Sequence, residues 1–415
     1  MKTQSFTKTQ GFAKKSLIAL AVVGAFSGSA FAADSVQLYG IIDMGVTHYS
    51  GLAPTVNGQP DTSGKSGTAS YTGLSSGVVA GSRIGLKGTE DLGGGLKAIF
   101  QAETGFCAAG TNQTGTGGSA YCTGSGFMGR TTLLGLQGNF GTVQMGRYFT
   151  SMFNNEVNYD PFQAGFTGAY SNLSLGINGL SPSGEGGNAS GAAVNYLLRS
   201  NQTITYISPN LSGLTVQADY SFNDGKATDP LVQGGNTTKL WSLNGNYAFG
   251  PATVGANYSK VTNVTTAPSS TVADGAYKVW QLFGSYDLNV VKLSGIYERG
   301  TADYYSGNDS SWLLGATVPV GAGAVMVSYS QYGTSLAPTG TSLSTSKAKQ
   351  YAIGYSYNLS KRTMLYTSYA HMSNDSAVAG SRSGTALAVN DATNFSAGVT
   401  GQGSNGFAVG ILHSF

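Results

Sequence analysis

This chain is short of charge. Only 10% of its 415 residues are Asp, Glu, Lys or Arg, where an ordinary soluble protein carries about 25%. Past the N-terminus there is no apolar run of the length that a transmembrane helix needs, about 20 residues. Histidine is scarce too. His48, His371 and His413 are the whole set, and no acid is spaced to orient any of them as the base a nucleophile would need. No catalytic constellation is therefore expected, nor any cofactor or metal. The near-neutral mature charge, with no clustered basic surface, argues against nucleic acid as a partner.

The formal charge of +3 belongs to the first residues. Lys2, Lys8, Lys14 and Lys15 precede an apolar run from Leu17 to Phe26, and Ala30-Phe31-Ala32 follows with the small-x-small pattern of a cleavage site. Residues 1–32 are read as a secretory signal, with one domain spanning 33–415. Taking those four lysines from the 22 basic residues leaves 18, against 19 acids. Cysteine occurs twice, at Cys107 and Cys122. In an oxidising compartment they can form a disulfide across a Gly/Ser/Thr-rich stretch; two free thiols are the other reading.

What the chain has in quantity is glycine (62), tyrosine (24) and alternation. In Leu214-Thr-Val-Gln-Ala-Asp-Tyr-Ser-Phe222 every second side chain is apolar or aromatic. Ala252 to Ser259 repeats the pattern. A strand sends successive side chains to opposite faces, so each segment divides an oily face from a wet one. Val36, Leu38, Ile42, Met44 and Val46 share a parity against Gln37, Tyr39, Asp43 and Thr47. Ile84 and Leu86 oppose Arg83 and Lys87. Leu96, Ala98, Phe100 and Ala102 oppose Lys97, Gln101 and Glu103. Trp241, Tyr247, Phe249, Tyr258, Trp280, Tyr286, Tyr297 and Trp312 all take the outward parity, as rings at a membrane interface would.

Connections alternate in length. Short turns fall near 91–95, 139–141, 209–213, 250–251, 288–289, 320–323 and 358–361. Long polar stretches fall near 50–80, 104–128, 148–198, 223–238, 262–275, 300–309, 333–347 and 373–403. Seven short and eight long connections predict sixteen strands. An all-β transmembrane antiparallel barrel, lipid outside and water inside, accommodates every oily face. The final strand, Phe407 to Phe415, ends on an outward aromatic. No fixed short repeat supports a secreted solenoid.

Three stretches resemble Gram-negative general porins of the neisserial and burkholderial type. They are Ser35-Val-Gln-Leu-Tyr-Gly-Ile-Ile-Asp-Met-Gly45, the hairpin from Ser82 to Gln101, and Gly141-Thr-Val-Gln-Met-Gly-Arg147. Asp160-Pro-Phe162 and the terminal Phe415 also match. The resemblance implies a sixteen-stranded homotrimer in the outer membrane, with the third surface loop folded into the lumen. It implies outer-membrane lipid as surroundings and recognition of the C-terminal strand by barrel-assembly machinery. Ions and small hydrophilic solutes would pass by diffusion. A Gly/Ser/Asn-rich insert, Leu180 to Gly191, departs from the family in that third loop.

Such a channel discriminates by width and by field. Arg83 and Lys87 form the candidate basic wall by parity. Arg130 and Arg147 join it by resemblance, although each shares parity with apolar neighbours and would need a strand end or bulge to turn inward. Glu156 and Asp160 on the third loop, with Asp43 and Glu103 on the barrel, form the candidate acidic wall, expected to face Arg83 and Lys87. A channel selective for anions or sugars is the competing reading. Inward aromatics are few (Tyr39, Tyr277, Phe283), which favours general diffusion over a sugar ladder.

Overall fold

The computed structural model describes residues 35–52, 55–56, 59–60, 69–109, 127–175, 197–222, 239–264, 275–303, 305–335, 337–338, 346–375 and 402–415. Residues 1–32, read above as a secretory signal, Cys122 and the insert at 180–191 lie outside them.

Sixteen antiparallel strands close into one barrel. In chain order they are β1 (Ser35–Leu52), β2 (Ala69–Ser76 and Arg83–Gly93), β3 (Leu96–Gly105), β4 (Thr132–Gly138), β5 (Gly141–Phe149), β6 (Arg199–Ile207), β7 (Leu214–Ser221) and β8 (Lys239–Phe249). Then come β9 (Ala252–Val264), β10 (Gly275–Asp287), β11 (Lys292–Ala302), β12 (Asp309–Val320), β13 (Gly323–Thr334), β14 (Ser346–Asn358), β15 (Thr363–Asn374) and β16 (Gly403–Ser414). Each strand pairs with the next, and β1 pairs with β16 from Ile41↔Ser414 to Ser50↔Asn405. Closure leaves no unpaired edge to face hydrocarbon.

The two faces separate as the alternation requires. Val36, Leu38, Leu134, Leu243, Trp280, Leu282, Leu314, Ile353 and Val409 are among the many large apolar side chains exposed on the outer face. The opposite parity carries Asp43, Thr47, Thr205, Asn257, Gln281, Glu298 and Gln350, all buried in the barrel. Rings on neighbouring strands meet at a tilt along the outer face near the long-loop end: Trp241 and Tyr258 at 5.0 Å and 54°, Tyr258 and Trp280 at 4.5 Å and 50°, centroid to centroid.

β2 is interrupted. Its first segment lies inside the stretch 50–80 that reads as loop, because Gly and Ser there dilute the alternation. The break at 77–82 is built on Asp43. Its carboxylate accepts from the backbone N–H of Val79 (2.6 Å) and Ala80 (2.9 Å) and from the Tyr366 hydroxyl (2.7 Å).

The 49-residue connection from β5 to β6 holds a helix that the sequence pattern does not announce. Thr150 caps it, accepting from the Phe153 N–H at 3.2 Å, and α1 runs Ser151–Tyr159. From there to residue 175 the chain meets interior-face side chains. Asn155 donates to Asn244 (2.9 Å) and Gln281 (2.7 Å). Asn172 donates to Gln350 (2.8 Å), and the Leu175 N–H to Glu298 (2.7 Å). Phe162, Phe166 and Leu173 join an apolar cluster with Tyr366, Met326 and Ala352 of the wall.

The last residue finishes the closure. The Gly40 N–H donates to the Phe415 carbonyl at 3.0 Å, and the Phe415 N–H returns to the Gly40 carbonyl at 3.1 Å. The Phe415 ring covers Gly40: an added Cβ would come within 2.2 Å of ring atom Cζ and 2.8 Å of the Arg83 carbonyl oxygen. This is an aromatic ring filling the space over a glycine. Deleting Phe415, or Gly40→Val, should lower the temperature at which the barrel converts to its unfolded mobility on detergent gels. Each lost hydrogen bond is worth about 1 kcal/mol in water. An unchanged conversion temperature in both variants would show that closure does not rest on this pair.

Candidate functional site

Four residues named from the sequence converge on one carboxylate or stand beside it. Glu103 on β3 points inward beside Arg83 on β2. Its Oε1 accepts from Arg130 Nε at 2.7 Å, and its Oε2 lies 3.5 Å from Arg83 Nε. The Tyr39 hydroxyl donates to the same Oε2 at 3.0 Å and accepts from Gln101 at 2.6 Å. Lys87, two inward positions further along β2 past Gly85, sits 5.2 Å from the Tyr39 ring centroid, within cation–π range. Two guanidinium groups share one acid, so the cluster keeps an excess positive charge, with the Lys87 charge next to it.

Arg130 reaches this place because it precedes β4 rather than belonging to it. The backbone turns at Met128, whose φ is 59°, and is tied to β3 by Arg130 N–H to Glu103 carbonyl (3.1 Å) and Glu103 N–H to Thr131 carbonyl (2.8 Å). Strand parity therefore does not govern it. Arg147 sits at a bulge, where the β5–β6 register shifts between Gly146 and Tyr148. Gly146 has φ 143°, and a Cβ there would lie 2.0 Å from the Thr132 carbonyl oxygen, so only glycine fits. The Arg147 Nε donates to the Gly129 carbonyl at 2.7 Å and Nη1 to Asn201 Oδ1. It braces the chain leading into Arg130.

The acids of the expected opposing wall are placed otherwise. Glu156 and Asp160 are 0% and 3% exposed, so neither carboxylate meets Arg83 or Lys87 across open water. Asp160 organises its own loop. Its oxygens accept from the N–H groups of Phe162 (3.0 Å), Ala164 (3.1 Å) and Tyr170 (2.8 Å). These bonds hold Gln163, Ala164 and Phe166 at positive φ, a conformation that costs free energy in any residue but glycine. Glu156 lies against Ser174 and Glu298. Asp43 is committed to the break in β2. Of the four acids expected to face the lumen, Glu103 is the one that meets the basic wall, and it does so as a buried partner.

Burial, with the Glu298 charge second, holds the Glu156 carboxyl well above the usual carboxylate range. Burial pushes Asp160 up from 3.8 to about 6, against the pull of its three N–H donors.

Other interior residues were missed by the sequence reading. Glu298 accepts from Gln281 at 2.8 Å. Asp219 accepts from Thr205 at 2.5 Å and Ser242 at 2.6 Å. Asp309 accepts from Tyr277 at 3.1 Å and Tyr332 at 3.3 Å. Arg199 lies 3.9 Å from the Phe149 ring centroid. Alternation alone would have found Glu298, an acid between the outward Tyr297 and Arg299. Cys107 is disulfide-bonded; Cys122, its expected partner, is outside the described residues.

The raised carboxyls of Glu156 and Asp160 have a consequence for stability. The folded chain keeps these protons to higher pH than the unfolded chain, so stability is highest below the unfolded values and falls as pH rises, for Asp160 between 3.8 and about 6. Relative to the parent, Glu156→Gln/Asp160→Asn should gain melting temperature steadily over that interval. A constant offset from lost loop hydrogen bonds is independent of pH. A parallel pair of melting-temperature profiles would remove both acids from this role.

Comparison with known proteins gives one consistent answer. A family model described as Gram-negative porin matches residues 19–377. Outer membrane porin protein 32 of Delftia acidovorans is 32% identical over 97% of this chain and 100% of its own length. An outer membrane porin protein of Bordetella pertussis is 30% identical, over 86% and 94%. The solved structure of an anion-selective porin from Comamonas acidovorans superposes with a TM-score of 0.70 at 28% identity, over 92% of this chain and all of that one. A trimer form of OmpT from Vibrio cholerae shares the fold, with a TM-score of 0.62 at 15% identity.

Proposed function

The chain belongs to the Gram-negative porin family, general outer-membrane channels for ions and small hydrophilic solutes, and on that premise we propose that its lumen favours anions. One observation carries this reading. Among the described residues away from the short turns, every interior-face carboxylate is at most 5% exposed: Asp43, Glu103, Glu156, Asp160, Asp219, Glu298 and Asp309. Lys87 is exposed and Arg83 partly so on the same face. Each of these acids is buried against a cation or hydrogen-bond donors of the protein, which mutes its field in the water. The exposed cations keep theirs. The anion-selective porin of Comamonas acidovorans, similar over 92% of this chain, supports the same direction.

On this reading segment 150–175 narrows the lumen, held by its bonds to the interior face, and sets width while the Arg83–Lys87 stripe sets sign. Residues 1–32 are removed on export. Three copies assemble, the C-terminal strand ending at Phe415 is read by the assembly machinery, and Cys107 pairs with Cys122 to pin the loop after β3.

Reversal potentials across a bilayer in a salt gradient test the proposal. The parent channel should pass chloride in preference to potassium. A unit charge about 4 Å away in water shifts an ion's energy by about 1 kcal/mol, roughly a fivefold change in local population, so Lys87→Ala/Arg83→Gln should move the permeability ratio several-fold toward cations. Glu156→Gln should leave it unchanged, since that carboxyl is fully buried. A cation-preferring parent, or a double variant with the parent's ratio, contradicts the proposal.

A further inference from the structure

Lys87 has an acid close by that does not cancel its charge. The register sets Lys87 opposite Gln101 and Gly85 opposite Glu103, so Glu103 is one diagonal step from Lys87. Both side chains point inward, and long side chains can meet across such a diagonal of neighbouring strands. An ion pair there would take the Lys87 charge out of the water. Glu103 turns the other way, to Arg130 at 2.7 Å and Arg83 at 3.5 Å. Among the described residues Lys87 makes no ion pair, and it stays exposed.

Tyr39 fills the space between them. On β1 it is opposite Gly85, so a single glycine is flanked by Tyr39 on one strand and Glu103 on the other. With no side chain at 85, the ring lies across β2. A Cβ at 85 would come within 2.6 Å of Tyr39 Cζ and of its hydroxyl oxygen. The hydroxyl is thereby carried over β2 to β3, where it donates to Glu103 Oε2 at 3.0 Å and accepts from Gln101 at 2.6 Å. The inward row of β2 reads Arg83, Gly85, Lys87, and the ring takes the middle place between two cations. We propose that Tyr39 is a positioning residue for ion selectivity. Its ring separates the acid from the ammonium, directs Glu103 to the two guanidinium groups, and leaves Lys87 to the pore water. An aromatic face attracts an ammonium without adding a charge, so Lys87 is held at 5.2 Å from the ring and keeps its field. The inference rests on the reading above that Lys87 faces the water of the lumen.

Two readouts on purified full-length protein test this: reversal potentials in a salt gradient, and the rate at which an amine-acylating reagent labels Lys87, followed by peptide mass. Tyr39→Ala should move the permeability ratio toward cations roughly fivefold, the weight of a unit charge about 4 Å away in water. It should also slow labelling of Lys87, because an ammonium paired with a carboxylate gives up its proton less readily. Labelling of Lys361, exposed on a short turn, should not change. Tyr39→Phe keeps the ring and should restore most of the parent's ratio and labelling rate. Gly85→Ala, whose methyl would push the ring off β2, should act in the direction of Tyr39→Ala and serves where that variant does not fold. In a Lys87→Ala background Tyr39→Ala should leave the ratio unchanged, whereas a loosened barrel would shift it in both backgrounds. The sign of the parent's preference tests the earlier reading; the shifts and the labelling test this one, whichever sign the parent shows. Parent-like ratio and labelling in Tyr39→Ala would overturn the proposal. So would a Tyr39→Phe variant as altered as Tyr39→Ala, or a shift that persists without Lys87.

Discussion

Backbone hydrogen bonding in hydrocarbon governs this molecule. A peptide N–H or carbonyl left unpaired in the membrane core costs several kcal/mol, and no water is present to relieve it. Antiparallel pairing of each strand with the next, and of β16 with β1, removes that cost at every position of the band. Closure then imposes the rest. One face of each strand must be oily and the other must be compatible with water, which is the alternation the chain carries. The long connections gather at one end, and the seven short turns at the other.

Inside, the same physics applies in reverse. A wide barrel has an interior wall lined with polar side chains, and the segment from α1 to residue 175 uses them. Its amides and carboxylates find donors and acceptors on β8, β10, β11 and β14 in place of water. The cost is desolvation of acids. Burial raises the Glu156 carboxyl well above the usual carboxylate range, Asp160 is wrapped in N–H donors, and Glu103 is held between two guanidinium groups. Positive charge stays in solvent at Lys87, which is exposed. On the proposed reading, the electrostatic character of the lumen follows from how segment 150–175 packs against the wall, and net charge says nothing about it.

Much of this was legible in the sequence. Strand number, the parity of Arg83, Lys87 and Glu103, and the outward aromatics follow from a period of two, and that period is strict wherever lipid is on one side. What escaped had no period to report it. α1 is nine residues whose helicity depends on the Thr150 cap and on packing against the wall. The first segment of β2 is masked by small residues, and its break depends on Asp43, distant in sequence. Arg130 and Arg147 conflict with alternation because a turn at Met128 and a bulge at Gly146 take them off it. Glu156 and Asp160 read as loop acids because exposure is the usual state of a charged residue in a loop; their burial follows from tertiary contacts that a single chain does not spell out.

The central claim is that adjacent residues of one strand meet lipid and enclosed water in turn. Val216 and Gln217 on β7 provide the comparison, each replaced singly by a cysteine carrying a fluorescent probe in the reconstituted protein. The account predicts quenching at 216 by a membrane-confined quencher and at 217 by a water-soluble one. Two probes that respond to the same quencher would contradict it.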